Sequence, residues 1–312
     1  MQNNSGIGSN TNILELTQTY LDRLFTGEAN ETRAGKATAL DAMVFTQDTA
    51  TNSSVNSTVQ GGGGYFQKTT NDVPTVEQAT TYAFNAKVTR IAQFLQNLPI
   101  SRTFMADQQL NSVGKQVREE GKSWSATRDQ NAFNVYANGF TTQTTVDGVA
   151  LFSNSHINAN GDTVDNLETG TLSNDNLNTV VNSLRRQLSQ SGVILGYEPD
   201  FLLTPVALHQ TGMQVAKSVL RAGTGNNDLN YFSELFPGMK VVYSPFLDTT
   251  STTAYFVGAK NHGVTRFERE GFSSTLVDWK FQANDMYMYK MRSREEVDSI
   301  YYNGLVGSSG TV

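Results

Sequence analysis

The sequence contains no cysteine, which excludes disulfide bonds, thiolate catalysis and thiolate-bound zinc or iron–sulfur clusters. Charged residues make up only 17% of its 312 residues, and only three histidines are present. There is no run of about 18 apolar residues, and the first residues, MQNNSGIGSNTN, lack the basic and apolar regions of a signal peptide. These absences predict a protein that does not interact with membranes.

The charge balance is acidic. Asp and Glu number 29 against 23 Lys and Arg, which gives a net charge of −6 at pH 7. Since a phosphate-neutralising surface needs the opposite balance, we expect only weak, non-specific contact with DNA. Small polar residues are plentiful, and this composition favours strands, turns and packing against other chains.

The first hundred residues predict a helix and an extended arm. After about twelve flexible polar residues, a short amphipathic helix is expected, with Thr11 or Asn12 as its cap and Gly27 at its end. Residues 46–71 contain few large apolar side chains, and alternating residues from Tyr82 to Val88 predict a strand directly after them. We interpret this region as a two-stranded arm with a glycine tip at 61–64, and a flexible linker is the alternative.

A long helix is predicted next. Apolar residues recur at spacings of three and four from Leu110 to Tyr136, which predicts a helix at about 107–138 with Asp107 as its cap. The opposite face is interpreted as solvated. It carries Lys115, Arg118, Glu119, Lys122, Arg128 and Asp129.

The remainder alternates between helix and strand and then becomes β-rich. Ser173 is predicted to cap a helix whose apolar residues include Leu177 and Leu184, with Gly192 after its end. PDFLLTP is predicted to be a buried strand, residues 205–222 a helix, and GMKVVYSPFL another strand. Alternation from Thr253 onward predicts a sheet, so the fold class is α+β.

The stretch DGVALFSNSHI, residues 147–157, has the composition of a small catalytic site. His156 lies near Ser153 and Ser155 in sequence, and the nearby acids are Asp147, Asp162 and Asp165. However, no G-x-S-x-G or comparable context for a nucleophile is present. We therefore expect no catalytic residue, and a hydrolase that uses His156 is kept as the enzymatic alternative.

No metal or cofactor site is predicted either. His156, His209 and His262 are each separated by 53 residues, and they lack the short spacings that place ligands on one face of a helix. The glycine run in QGGGGYF is not followed by the Lys-Ser/Thr pair of a phosphate-binding loop.

DGVALFSNSHI nevertheless resembles the DG-x-x-LF…H turn that follows the long helix in major capsid proteins of tailed bacteriophages with the Hong Kong 97-type fold, among them the Mu-like major head subunits. The likeness continues in the same order through NLETGTLSNDNLNTVVNSL, PDFLLTPVAL, GNNDLNYF and VVYSPFL. One departure is that Ser155-His156-Ile157 stands where relatives often have His-Pro.

The resemblance implies a domain organisation. An N-terminal arm would span residues 1–40, and an extended loop with its return strand would span 41–98. The P domain would comprise 99–165 and 251–312 and contain the long helix, called the spine helix in this family. The A domain would span 166–250.

The resemblance also implies a function. The chain would be a non-enzymatic major capsid protein that self-assembles into hexamers and pentamers of an icosahedral shell around double-stranded DNA. It would be used uncleaved in the host bacterial cytoplasm, with portal, a separate scaffold and decoration proteins as further partners. An encapsulin-like nanocompartment shell is the structural alternative.

Two sets of residues follow as candidates. The expected inter-subunit contacts at the loop tip are Gly61, Gly62, Gly63, Gly64, Tyr65, Phe66 and Lys68. The expected diagnostic turn consists of Asp147 and Gly148 as a tight turn, Leu151 and Phe152 as core anchors, and His156 as a hydrogen-bonding partner of the turn backbone.

Overall fold

The computed structural model describes residues 10–34, 44–58, 60–61, 82–83, 86–107, 110–220, 229–282 and 284–311. The helices are α1 (Asn10–Ala34), α2 (Arg102–Ala106), α3 (Leu110–Ala137), α4 (Asn174–Arg186), α5 (Val206–Lys217) and α6 (Tyr231–Leu235), with a 3₁₀ turn at Trp279–Phe281. The strands are β1 (Thr46–Thr49), β2 (Ser54–Ser57), β3 (Gln60–Gly61), β4 (Tyr82–Ala83), β5 (Lys87–Arg90), β6 (Ala92–Ser101), β7 (His156–Ile157), β8 (Thr163–Val164), β9 (Leu167–Glu168), β10 (Phe201–Pro205), β11 (Lys240–Ser244), β12 (Tyr255–Gly258), β13 (Val264–Val277), β14 (Met286–Ser299) and β15 (Leu305–Ser308). The predicted α+β class is confirmed.

The chain forms two compact units. Unit 1 comprises residues 1–38, 91–130 and 268–296, and unit 2 comprises 39–90, 131–267 and 297–312. The domain boundaries implied by the resemblance stay a prediction.

Unit 2 is built on a five-stranded sheet with the order β11-β10-β12-β15-β9. All five residues of β10 are buried because both faces of the sheet are covered. Phe201 and Leu203 point into one core cluster with Tyr136 and Phe152, whereas Leu202 points into a second cluster with Leu177 from α4. The predicted buried strand is therefore confirmed, and it separates two cores.

Helix α4 follows its sequence signals closely. The backbone N–H of Asn176 donates to Ser173 Oγ at 3.2 Å, which confirms the predicted cap. The buried residues recur at helical spacing and face the sheet; they are Leu177, Val180, Val181 and Leu184.

Unit 1 combines α1, residues 110–130 of α3, and the antiparallel pairing of β6 with β14. Its core includes Leu21 and Phe25 from α1, Val117 from α3 and Tyr289 from β14. The two helices approach closely at Gly121, where a Cβ would lie 2.8 Å from the carbonyl oxygen of Phe25.

Helix boundaries differ from the predictions at several points. Thr11, Asn12 and Gly27 lie inside α1, so the predicted caps and end are wrong. The buried faces of Leu21 and Phe25 stabilise the helix by more than the roughly 1 kcal/mol that an interior glycine costs.

The residue predicted to cap the spine helix, Asp107, does not begin it. Asp107 ends α2, because its N–H donates to the Thr103 carbonyl at 2.8 Å, and the helix itself is α3, Leu110–Ala137, within the expected 107–138. The helix predicted at 205–222 ends at Lys217.

The solvated interpretation of one helix face is wrong at Arg128. Its Nε lies 2.7 Å from both carboxylate oxygens of Glu295, and its side chain is only 13% exposed. A second carboxylate, Glu268, lies 3.3 Å from Nη2. The opposing acids come from β13 and β14, which the local charge pattern could not reveal.

The strand pairing predicted for the arm is confirmed, whereas its glycine tip stays a prediction. Strand β2 pairs antiparallel with β5, and β3 pairs antiparallel with β4, so that Gly61 lies opposite Tyr82. The remaining tip candidates, Gly62, Gly63, Gly64, Tyr65, Phe66 and Lys68, lie outside the described residues.

Candidate assembly surfaces and the Asp147–His156 turn

A tight turn follows helix α3 at Asp147 and Gly148. Gly148 has φ +80°, a conformation that glycine adopts without steric cost, and its N–H donates to the Thr145 carbonyl at 3.0 Å. The Asp147 carboxylate accepts hydrogen bonds from the Thr145 hydroxyl and from the Val149 N–H. The side chain of Asp147 thus fixes the turn that its own backbone makes.

His156 is fully buried beneath this turn. Its Nδ1 lies 2.6 Å from Asp147 Oδ2, its Nε2 lies 3.3 Å from the Leu151 carbonyl oxygen, and its ring stacks on Tyr302 with the centroids 4.1 Å apart. His156, near the end of the stretch 147–157, therefore contacts two of its earlier residues. One ring nitrogen contacts the side chain of Asp147, and the other contacts the backbone of Leu151.

The electrostatics of Asp147 reflect these partners. Partial burial acts to raise the pKa of the Asp147 carboxyl, but hydrogen bonds from His156 and Thr145 outweigh it and hold that pKa below its ordinary value. The carboxylate is the stable form of Asp147 in the fold.

Leu151 and Phe152 are both buried, and Phe152 lies between two glycines. A Cβ on Gly139 would be 2.7 Å from the Phe152 ring, and a Cβ on Gly307 would be 2.8 Å from it. The Phe152 N–H also donates to the Gly139 carbonyl at 2.9 Å. The ring attaches the stretch to the core by close packing on both sides.

The catalytic candidates are not brought together. Asp147 alone of the three acids contacts His156; Asp162 accepts from the Asn158 amide, and Asp165 from the Leu167 N–H. The hydroxyls of Ser153 and Ser155 contact each other at 3.2 Å, while both nitrogens of His156 already face other acceptors. This arrangement holds a turn together and does not activate a nucleophile.

The three histidines have separate surroundings. His209 lies against Tyr243, and His262 packs edge-on against Phe201. Within the described ranges, no three side chains of the metal-binding types converge, and no helix is long and apolar enough to span a bilayer.

A polar network at the base of the arm was missed by sequence reasoning. Lys87 Nζ, on β5, contacts Asp298 Oδ1 at 2.6 Å, the Thr144 carbonyl at 2.5 Å and the Ser299 carbonyl at 2.8 Å. The Thr89 hydroxyl donates to the second Asp298 oxygen at 2.5 Å. Since Lys87 and Asp298 are 211 positions apart, no local pattern could pair them.

A second feature is an exposed apolar patch, here named the α5–α6 patch. It consists of Val219, Leu220, Leu229, Tyr231 and Leu235. Val219 is 70% exposed and Leu229 is 62% exposed, and the bridge between Leu220 and Leu229 brings the two chain segments together. Contiguous exposed apolar residues mark contact sites for other proteins.

Comparisons with known proteins show which family and which solved structures this chain resembles. Residues 85–306 match the family described as phage capsid protein, whereas no curated protein matches the sequence. The capsid of an empty GTA particle is similar with a TM-score of 0.54 and 12% identity, over 89% of this chain and 91% of that one. A structure from Microbacterium phage Oxtober96 gives 0.53 and 13%, over 88% and 91%. A virus-like particle from Pyrococcus furiosus gives 0.50 and 8%, over 93% and 99%.

An α+β chain with a long helix, paired strands and this structural similarity has the Hong Kong 97-type fold of those capsid structures. The family match spans most of the sequence, so the chain belongs to the phage capsid protein family. It is a bacteriophage major capsid protein, a structural component of the virion that assembles into a multimeric shell, and the resemblance to tailed-phage capsid proteins is confirmed. The finer likeness to Mu-like head subunits stays a prediction.

Proposed function

We propose that this chain tiles hexamers and pentamers of an icosahedral head that encloses packaged double-stranded DNA. The observation that carries the proposal, beyond family membership, is the α5–α6 patch, where large apolar side chains stand in solvent in the isolated subunit. Covering them against neighbouring copies supplies the hydrophobic stabilisation of the shell, at about 25 cal/mol per Å² buried.

We further propose that the arm reaches a neighbouring subunit. The ion pair between Lys87 and Asp298 fixes its base, where β2 and β5 pair antiparallel. The candidate contacts at the tip of the arm are Gly61, Gly62, Gly63, Gly64, Tyr65, Phe66 and Lys68. Weak contacts of this kind gain strength from repetition around the shell.

The finer partners and the setting belong to the same proposal. Assembly takes place in the host bacterial cytoplasm, with portal, scaffold and decoration proteins as further partners. DNA is enclosed with weak, non-specific contact, because a subunit with a net charge of −6 does not attract phosphates strongly.

The subunit acts without catalysis. His156 is buried, and its two ring nitrogens contact Asp147 and the Leu151 carbonyl, which supports a role in holding the turn. We propose that Asp147, Gly148, Leu151, Phe152 and His156 together anchor the end of the spine helix.

The test is assembly of the purified chain, alone and with its scaffold, followed by electron microscopy. Wild type is expected to form capsomers or shells, while Leu229→Asp is expected to remain as free subunits, because a carboxylate in a buried apolar contact is strongly unfavourable. Ile157→Asp, which alters an exposed aliphatic residue outside the patch, is the matched control and should assemble. Wild-type protein that forms no particles under any of these conditions would contradict the proposal.

A further inference from the structure

The connection between β13 and β14 carries the most exposed large apolar side chain among the described residues. Phe281 is 81% exposed and ends the 3₁₀ turn Trp279–Phe281. The turn is ordered by its own contacts: Asp278 accepts from the Lys280 N–H at 3.3 Å, and the Arg102 guanidinium lies 4.0 Å from the centre of the Trp279 ring. These contacts hold the turn that carries Phe281. Residues 278–282 are here named the hairpin tip.

Unit 1 also contains an open apolar groove. Its lining includes Phe94, Leu95, Trp124, Phe272 and Met291. The groove has a volume of about 180 Å³, and a cavity of about 150 Å³ is enough to bind benzene. Phe94 and Trp124 meet edge to face at 5.7 Å, and Leu95 is 63% exposed at the rim. The groove has the size and chemistry to take one aromatic ring.

The hairpin tip cannot fill the groove of its own chain. The register of β14 on β6 places Met286 opposite Ser101 and Ser293 opposite Phe94. These positions are seven residues apart along β14, which corresponds to roughly 23 Å at the usual rise of a strand. The tip extends beyond the Met286 end, so Phe281 does not reach the groove of its own chain.

Charges flank both features in a complementary way. Lys280 is exposed beside Phe281. The groove is lined by Glu120 on α3 and by Arg292, whose Nε is paired with the Glu270 carboxylate at 3.2 Å. An aromatic ring in the groove would bring the neighbouring ammonium toward the Glu120 carboxylate. Electrostatic complementarity of this kind fixes the register of a contact more than its affinity.

We propose that Phe281 of one copy inserts into the Phe94–Leu95–Trp124 groove of a second copy of this chain. The inference rests on the proposed shell function, which brings copies together. Because the hairpin tip and the groove are different surfaces, the contact is heterologous. It can therefore continue from copy to copy, as the formation of a ring or lattice requires.

The absence of cysteine allows a direct test. In the double variant Gln282→Cys/Gln96→Cys, the first thiol lies next to Phe281 in the hairpin tip and the second lines the groove. The apolar side chains of both surfaces are kept. Assembled particles, verified by electron microscopy, are treated with a short bismaleimide and run on a denaturing gel. We expect a ladder of covalent dimers and higher oligomers, and each single variant should give monomers.

The matched control is Gln282→Cys/Thr141→Cys, which pairs the tip with an exposed position in unit 2 and should give no ladder. Adding Phe281→Ala to the first pair should reduce the ladder at least tenfold, whereas adding Tyr20→Ala, which alters another exposed aromatic residue, should leave it unchanged.

The outcomes separate the two proposals. Dimers from Gln282→Cys alone would mean that tips meet tips and would overturn the inference. Particles without crosslinks from the first pair would also overturn it and leave the shell function intact. Wild-type chains that never form particles would overturn both.

Discussion

At the scale of residues, Asp147 links the backbone of a turn to the buried ring of His156. Its carboxylate receives hydrogen bonds from His156, Thr145 and Val149, and its lowered pKa means that the folded state favours the ionised form. Stability from a depressed carboxyl pKa is present above the unfolded value, near 3.8, and is lost as the pH falls through the folded value.

We therefore predict that Asp147→Asn makes unfolding less dependent on acid. Above about pH 5, wild type should exceed the variant by about 1.5–3 kcal/mol, which is typical of hydrogen bonds to a charged group. The difference should shrink as the pH falls below the unfolded value near 3.8 and the wild-type carboxyl takes up its proton. Urea unfolding of the subunit across this pH range measures it.

The control is Asp48→Asn, an exposed carboxylate on β1, which should follow the wild-type curve within about 0.5 kcal/mol. A wild-type advantage that grew on acidification would show that the carboxylate of Asp147 is not the stabilising form.

At the scale of elements, two glycines in unit 1 have opposite roles. Gly27 lies in the exposed interior of α1 with open space where a Cβ would stand. Gly121 lies in α3 at the crossing with α1, 2.8 Å from a backbone oxygen. One position tolerates a side chain, and the other sets the distance between two helices.

We predict that Gly27→Ala stabilises the subunit by about 0.5–1 kcal/mol, because alanine loses less backbone entropy in a helix. Gly121→Ala should destabilise it by about 1–3 kcal/mol, because the helices must move apart. Each variant is the control of the other in the same denaturation experiment. Effects of the same sign would contradict this account of the crossing.

The base of the arm gives the second prediction at this scale. Asp298→Ala removes the acceptor of Lys87, Thr89 and Gln143 at a site where the Lys87 side chain is only 18% exposed. We expect a loss of about 3 kcal/mol and faster proteolysis between residues 46 and 90. Glu198→Ala, which breaks the exposed pair with Arg185, should cost less than about 1 kcal/mol. If the two variants lost equal stability, the network would not be what holds the arm.

The elements that sequence reasoning found are those whose signals are local. The cap at Ser173 and the apolar spacing from Leu177 to Leu184 lie within one helix, and the buried strand at 201–205 is a single apolar run. The strand pairing of the arm was also predictable, since an alternating strand follows the polar stretch 46–71.

The features that escaped prediction depend on distant partners. The local charge pattern cannot pair Arg128 with its acid, Glu295, which is 167 positions away. The α5–α6 patch requires knowing which apolar residues the fold leaves uncovered. Glycine often ends helices, so Gly27 is expected to end α1, but the packing of Phe25 and Ala29 extends the helix past it. In each case, contacts between residues distant in sequence outweighed the local sequence signal.

At the scale of the whole molecule, the subunit combines acidic net charge with exposed apolar surface. The charge of −6 makes subunits repel one another, while the α5–α6 patch and the groove draw apolar surfaces together. The balance between the two depends on ionic strength, since salt screens repulsion over a Debye length of about 30 Å at 0.01 M and about 3 Å at 1 M.

We predict that salt promotes assembly. Raising NaCl from about 0.01 M to about 0.5 M should lower the subunit concentration at which particles appear by several fold, because repulsion is screened while apolar burial is retained. Light scattering across a concentration series measures this threshold, and Leu229→Asp should scatter weakly at every salt concentration. If salt instead raised the threshold, ion pairs between subunits would dominate over apolar contact, and the patch could not be the main source of cohesion in the shell.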